Sequence, residues 1–171
     1  ASLLEVSRSV NASLRVTEVL RTITELAVKI TAAKASAIRL LDPRKDELTA
    51  AASYGLSLDY LAKGPVRPSE SPADQEALAG RTVAILDMSK DPRVRYQEEA
   101  QIEGLVSMLT LPLRRANDSL GVLRVYSGSR HQWSRRELRL LQAFADQAAI
   151  AIHNARLHED LRRNYWETVN A

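Results

Sequence analysis

The chain has 171 residues, 45% of them hydrophobic and 26% charged, and a formal net charge of +3. This is one ordinary domain, large enough to bury a real core, and its mild arginine excess is scattered over helical positions as solvated surface. It has no cysteine, which excludes disulfides, thiolate catalysis, zinc–thiolate sites and any thioether-linked chromophore.

No apolar run approaches the ~20 residues of a membrane span, and no signal peptide opens the chain. A cytoplasmic location is expected, with no membrane partner for this segment. Opening on Ala1, the chain reads as a piece of a longer protein. Residues 1 to about 14 form a leading helical segment with Leu3, Val6, Val10 and Leu14 on one stripe. From about Thr17 a second helix presents Val19, Leu20, Ile23, Leu26, Ala27 and Ile30, an apolar face wide enough to need a sheet beneath it. Ala35 to Leu41 and Leu48 to Ser53 read as two strands of a hairpin, joined by the turn-prone run Asp42–Asp46.

The middle, from Tyr54 to about Gly104, differs in character. It holds four of the six prolines and only short elements: Ser71-Pro72 opening a helical turn, a strand from Val83 to Leu86 and a helix near Tyr96 to Glu103. Two longer strands follow, the second including Gly121 to Tyr126. Ser134-Arg135-Arg136-Glu137 reads as a capping box, in which Ser134 accepts from a first-turn N–H and Glu137 reaches back. The helix it opens runs without Gly or Pro to about Arg163. That is about as long as such a domain is wide, so its far end should overhang.

Several stretches together resemble the GAF domain, a small sensory module of bacterial signalling proteins and phosphodiesterases. They are Ser2–Val6 leading to Glu18-Val19-Leu20, Ala37–Asp42, Ala84–Asp87 with Asp91-Pro92-Arg93, Gly104–Leu113, and the terminal strand and helix. The resemblance covers about Thr17 to Ala155. It implies an α/β (α+β) fold: a central antiparallel sheet with the terminal helices on one face and loops and short helices on the other. It divides the chain into a linker helix over 1–16, a GAF domain over 17–155 and a helical extension over 156–171. The family is similar in scaffold and varied in what it binds. The cyclic-nucleotide signature Asn-Lys-x-x-x-Phe is absent, as are a bilin-anchoring cysteine and the Pro-Ala-Ser-Asp-Ile-Pro stretch, so neither cyclic GMP nor a covalent bilin is expected; the cofactor, if any, stays unknown.

Enzyme signatures are missing: no Gly-x-x-x-x-Gly-Lys loop, no Gly-x-Ser-x-Gly elbow and no His-Glu-x-x-His. His153 and His158 lie about 140° apart around one helix and cannot share a metal. Neither catalysis nor a metal site is expected. Two arginines inside strands are more informative. By period-two alternation Ala37, Arg39 and Leu41 share one face, as do Val122, Arg124 and Tyr126. The resemblance makes these strands neighbours at the sheet centre. The helix-covered face should be the apolar one, so both arginines should point at the loop side, where a cavity roofed by residues 54–104 could bind a small molecule. Guanidinium groups suit an anionic ligand because their donors form a fixed fork. Otherwise each arginine pairs with a loop carboxylate such as Asp87 or Glu103, or reaches water. Tyr54, Tyr96, Tyr126, Asp87, Met108 and Thr110 complete the candidate ligand site.

The terminal helices are the second candidate site. Leu138, Leu141, Ala145, Ala148, Ile152 and Ala155 form one stripe of the last helix, enough to pack on the sheet. A second stripe of Leu140, Phe144, Gln147, Ala151, Asn154 and His158 reads as a helix–helix seam with polar residues setting register. With Leu3, Val6 and Val10 it would form a homodimer interface, passing a signal to an output domain of the same chain. A basic cluster, Arg130, Arg135, Arg136 and Arg139, includes Glu137 and lacks a stacking platform, so no nucleic-acid partner is expected. Two readings compete: a ligand-sensing domain of a histidine kinase or cyclic-dinucleotide enzyme, and a ligand-free scaffold for dimerisation and transmission.

Overall fold

The computed structural model describes residues 2–170, with side-chain surroundings given throughout 14–157 and only in part beyond them. Its elements are α1 (Ser2–Thr31), β1 (Ala35–Asp42), β2 (Glu47–Tyr54), α2 (Leu58–Leu61), a 3-10 turn (Pro68–Glu70), α3 (Pro72–Leu78), β3 (Val83–Ile85), α4 (Gln97–Glu103), β4 (Ser107–Arg115), β5 (Asp118–Ser127) and α5 (Arg135–Asn170). The two helical segments expected at the start are one continuous helix of 30 residues, about 45 Å long. No Gly or Pro breaks it, and Val16 and Val19 carry the apolar stripe through the expected gap into Leu20, Ile23 and Ala27.

The sheet is antiparallel throughout, in the order β2-β1-β5-β4-β3. Alternation decides its two faces. Ile38, Leu109, Leu111, Leu113, Leu123 and Val125 point to one side, where Leu20, Ile23 and Ala27 of α1 and Leu141, Ala145, Ala148 and Ile152 of α5 close a single large core. The opposite side carries two smaller clusters, one around Tyr60, Met88, Met108 and Tyr126 and one around Leu48, Ala77 and Val122. The expected division of covers therefore holds, with α3 the main short element over β4 and β5. Gly121 sets the close approach of β1 and β5, since a Cβ there would strike the Arg39 carbonyl.

Both helix starts flagged by their capping residues form as expected. Ser134 Oγ accepts from Glu137 N at 3.1 Å while Glu137 Oε1 accepts from Ser134 N at 2.9 Å. Ser71 Oγ accepts from Asp74 N at 3.3 Å, and Pro72 supplies a fixed φ in the first turn of α3. The last helix reaches Asn170, beyond the expected Arg163.

Candidate functional site

Arg39 and Arg124 stand on neighbouring central strands, with Arg39 paired to Val122 and Ala37 to Arg124. They are diagonal neighbours on the loop-covered face, and only 5% and 6% exposed. Each has a different partner. Arg124 Nη2 donates to Asp74 Oδ2 at 2.9 Å, and its Nη1 lies 3.5 Å from Thr110 Oγ1 and 3.7 Å from Met108 Sδ. Asp74 is itself only 1% exposed, so this is a buried ion pair. Burial works against the Arg124 charge, but the Asp74 carboxylate together with Tyr126 and Tyr60 holds the guanidinium above its ordinary range. Arg39 Nη1 donates instead to the Leu48 carbonyl at 2.9 Å, and its buried Nε has no partner among the described residues. Burial, with repulsion from Arg124, pushes the Arg39 guanidinium below its usual value.

These groups line a cavity of about 50 Å³. Tyr60, Tyr126, Met88, Met108, Ala73, Val66 and Val94 supply apolar wall, and Lys63, Arg67, Glu70, Ser71, Arg93, Arg95 and Tyr96 the remainder. Tyr60 and Tyr126 meet edge to face with ring centroids 6.0 Å apart. Burial pushes the Tyr60 phenol up, so it stays a neutral hydroxyl. Lys63 Nζ lies 4.1 Å from the Tyr60 centroid and 5.5 Å from that of Tyr96. The ring faces favour its cation, but burial, then repulsion from Arg39 and Arg124, push the amine down to about 7. At the rim Arg95 pairs with Glu70, and Arg93 Nη2 with Asp91 Oδ2 at 2.7 Å. Among the described residues no carboxylate is bonded to Arg39 or Lys63, and arginines and Lys63 outnumber acids along the wall.

Of the residues singled out from sequence, Arg39, Tyr96, Met108, Arg124 and Tyr126 come together at this cavity. Thr110 lies beneath it against Arg124. Tyr54 and Asp87 stand outside its lining: Tyr54 is 38% exposed at the end of β2. Asp87 accepts from Ser89 N and Oγ and pairs with Arg130 at 2.8 Å. Those bonds, Ser89 first, bring its carboxyl down to about 2. Neither carboxylate expected to meet the arginines does so, because Glu103 instead accepts from Ser57 N and Oγ. Sequence reading missed Tyr60, Lys63 and above all Asp74. Only the Ser71-Pro72 helix start hinted at Asp74, by putting it in the first turn of α3.

On the second candidate site, Leu3, Val10 and Leu140 are 86%, 46% and 38% exposed. Gln147, Ala151 and Asn154 line a groove of about 300 Å³ with Val16 and Val19 of α1. Phe144 is half-buried against the chain's own core. Val6 and His158 lie outside the residues whose side chains are described. Among the described residues no helix is long and apolar enough to cross a membrane, and no three His, Asp or Glu cluster as metal ligands.

The GAF domain family profile matches residues 13–153, and the chain belongs to that family. The GAF domain of a phosphoenolpyruvate-protein phosphotransferase from Coxiella burnetii superposes with a TM-score of 0.75 at 16% identity, over 94% of this chain and 99% of that one. A domain of a two-component sensor histidine kinase protein from Sinorhizobium meliloti gives 0.72 at 18% identity, over 85% and 95%. A type II free methionine-R-sulfoxide reductase from Thermoplasma acidophilum gives 0.69 at 14% identity, over 84% and 96%. At these identities the likeness concerns the fold alone. No curated protein matches the sequence.

Proposed function

We propose that this GAF domain is a regulatory sensor of a small anionic molecule, held in the cavity over Arg39 and Arg124, within a larger cytoplasmic signalling protein such as a histidine kinase or cyclic-dinucleotide enzyme. The observation that carries the reading is Arg39: a guanidinium 5% exposed, lining a cavity, with Nε unpartnered and no carboxylate bonded to it. An unpaired buried charge is costly to keep for packing alone, and an anion would satisfy it. Neighbours from a sensor histidine kinase and a phosphotransferase support a regulatory setting. Native mass spectrometry of the purified chain tests it: a small anion should leave with wild type and be missing from Arg39→Met.

Output would run through α1 and α5. Val16 and Val19 share a groove with Ile150, Ala151, Asn154 and Ala155, while Ala27 packs in the core with Leu141. The two helices are therefore antiparallel within the chain, and the start of α1 and the end of α5 lie toward the same end of the domain. Exposed Leu3, Leu4, Val10 and Leu14 suit a parallel homodimer there, joined to an output domain. Leu3→Glu with Val10→Glu should shift sedimentation to monomer while the melting temperature stays within a degree or two. The second reading is a ligand-free scaffold, favoured by the small volume of the cavity; a wild type that carries no anion and is unaffected by Arg39→Met would establish it.

A further inference from the structure

Lys63 stands apart from the paired cations of the cavity wall. Arg124 is matched by Asp74, Arg95 by Glu70 and Arg93 by Asp91. Lys63 Nζ makes no hydrogen bond or ion pair among the described residues; it lies over the rings of Tyr60 and Tyr96, 4.1 and 5.5 Å from their centroids. Half-buried, it lines the cavity together with Arg39 and with the rim charges Arg67, Glu70, Arg93 and Arg95. Burial, then Arg39 on β1 and Arg124 on β5, work against its cation, while Glu99 on α4 and Asp74 on α3 favour it. The opposing influences win, and the amine titrates at about 7. About half of the molecules then hold a neutral amine there at pH 7, against roughly one in 3,000 for an ordinary lysine.

A neutral lysine amine in a partly apolar site beside other cations is a nucleophile, and the cavity decides which electrophile suits it. A volume of about 50 Å³ takes roughly three or four water-sized groups, which matches the three atoms of carbon dioxide. Charge points the same way. An aldehyde or ketone would give an iminium and restore the positive charge that Arg39 and Arg124 oppose. Carbon dioxide gives a carbamate, which replaces that charge with a negative one. Arg39 Nη2 makes no hydrogen bond among the described residues, and a guanidinium suits a planar, carboxylate-like group. The step needs no further reagent. The Nζ lone pair forms the N–C bond, one C=O electron pair moves onto oxygen, and the proton lost by nitrogen goes to water.

We propose that Lys63 is a reversible carbamate site, adding carbon dioxide at Nζ to form in place an anion that Arg39 holds. The proposal rests on the sensor reading above and names carbon dioxide as the source of its anion.

Carbon-13 NMR of the chain at pH 7 with labelled bicarbonate, followed by trapping with a trialkyloxonium salt and peptide mapping, tests it. The trapped ester should occupy Lys63 at least about tenfold more than Lys29, Lys34, Lys45 or Lys90, and should follow carbon dioxide pressure. The α-amino group of the chain, ordinarily near ~8 and so partly neutral, serves as the internal standard. Lys63→Arg keeps the cation, removes the reactive amine and should lose the label; Arg39→Met should lower it several-fold. If either variant does not fold, site mapping in the wild type decides alone. Label confined to the α-amino group, no greater on Lys63 than on the other lysines, or unchanged by Arg39→Met overturns the assignment. A free anion released by wild type and absent from Arg39→Met would then leave the sensor reading standing, and no anion of either kind would end both.

Discussion

On the side of the sheet under α1 and α5, the buried strand residues from Ile38 to Val125 meet an unbroken apolar surface, and the buried hydroxyls there bond to backbone carbonyls, as Ser36 Oγ does to that of Thr24 at 2.6 Å. On the side under α3 and the mid-chain loops, the same strands present Arg39, Arg124 and Thr110, and an aspartate descends to meet one of them. Continuous helices can cover a sheet because their 3.6-residue repeat brings an apolar stripe back over it turn after turn. Short elements cannot, so the loop face divides into two small clusters with a charged cavity. One face supplies stability, and the other spends some of it on holding buried charge around a cavity.

The sharpest test of this contrast is Ala148→Asp, which buries an unpaired carboxylate at a fully enclosed position on the helix face. Urea titration should show no cooperative transition, as expected for a loss of more than ~4 kcal/mol. Next, Asp74→Ala on the loop face should cost about 3–5 kcal/mol, because it strands the Arg124 charge. The double change Asp74→Leu with Arg124→Met should recover most of that in a denaturation cycle; a double variant as unstable as the single one would mean that the pair itself stabilises the fold. Arg39→Met should cost only about 1 kcal/mol, the bond to the Leu48 carbonyl.

Smaller effects separate the faces by rate and by pH. Amides in 54–104 should exchange faster than those in 120–126, since short elements bury little apolar area, with α3 the slowest part of the segment because Asp74 ties it down. Lys63 ought to make stability depend on pH in the alkaline range. Its folded value near 7 lies below the usual 10.5, so between those limits the unfolded chain binds the proton that the folded chain lacks. Stability should rise with pH from about 7 to 10, and Lys63→Met should flatten that rise. Asp87 gives a slope of the same sign in the acid range: its contribution is present above the usual 3.8 and disappears as pH falls toward about 2, a slight effect for a group so near the surface.

Much of the scaffold was legible from local patterns. Ser134 and Glu137 announced α5, alternation grouped Arg39 with Ala37 and Arg124 with Tyr126 while the family resemblance turned both arginines to one face, and Leu141, Ala145, Ala148 and Ile152 marked the buried stripe. The break expected near residue 15 was misread because two apolar stripes were treated as two helices, although nothing in the residues between them disfavours helix. Asp87 and Glu103 were natural partners for the arginines by type, yet both are used at the surface.

What the sequence by itself determined about this protein are features set within one or two turns of chain: caps, periodicity and the alternation of strand faces. What only the tertiary structure decided is the chemistry of the cavity: the Asp74–Arg124 pair across 50 positions, the orphaned Arg39 Nε, and Lys63 set between two tyrosine rings near two arginines. Such meetings depend on how the mid-chain segment is laid over the sheet. No local preference encodes that path, because it is selected by the summed burial and ion pairing of residues far apart in the chain.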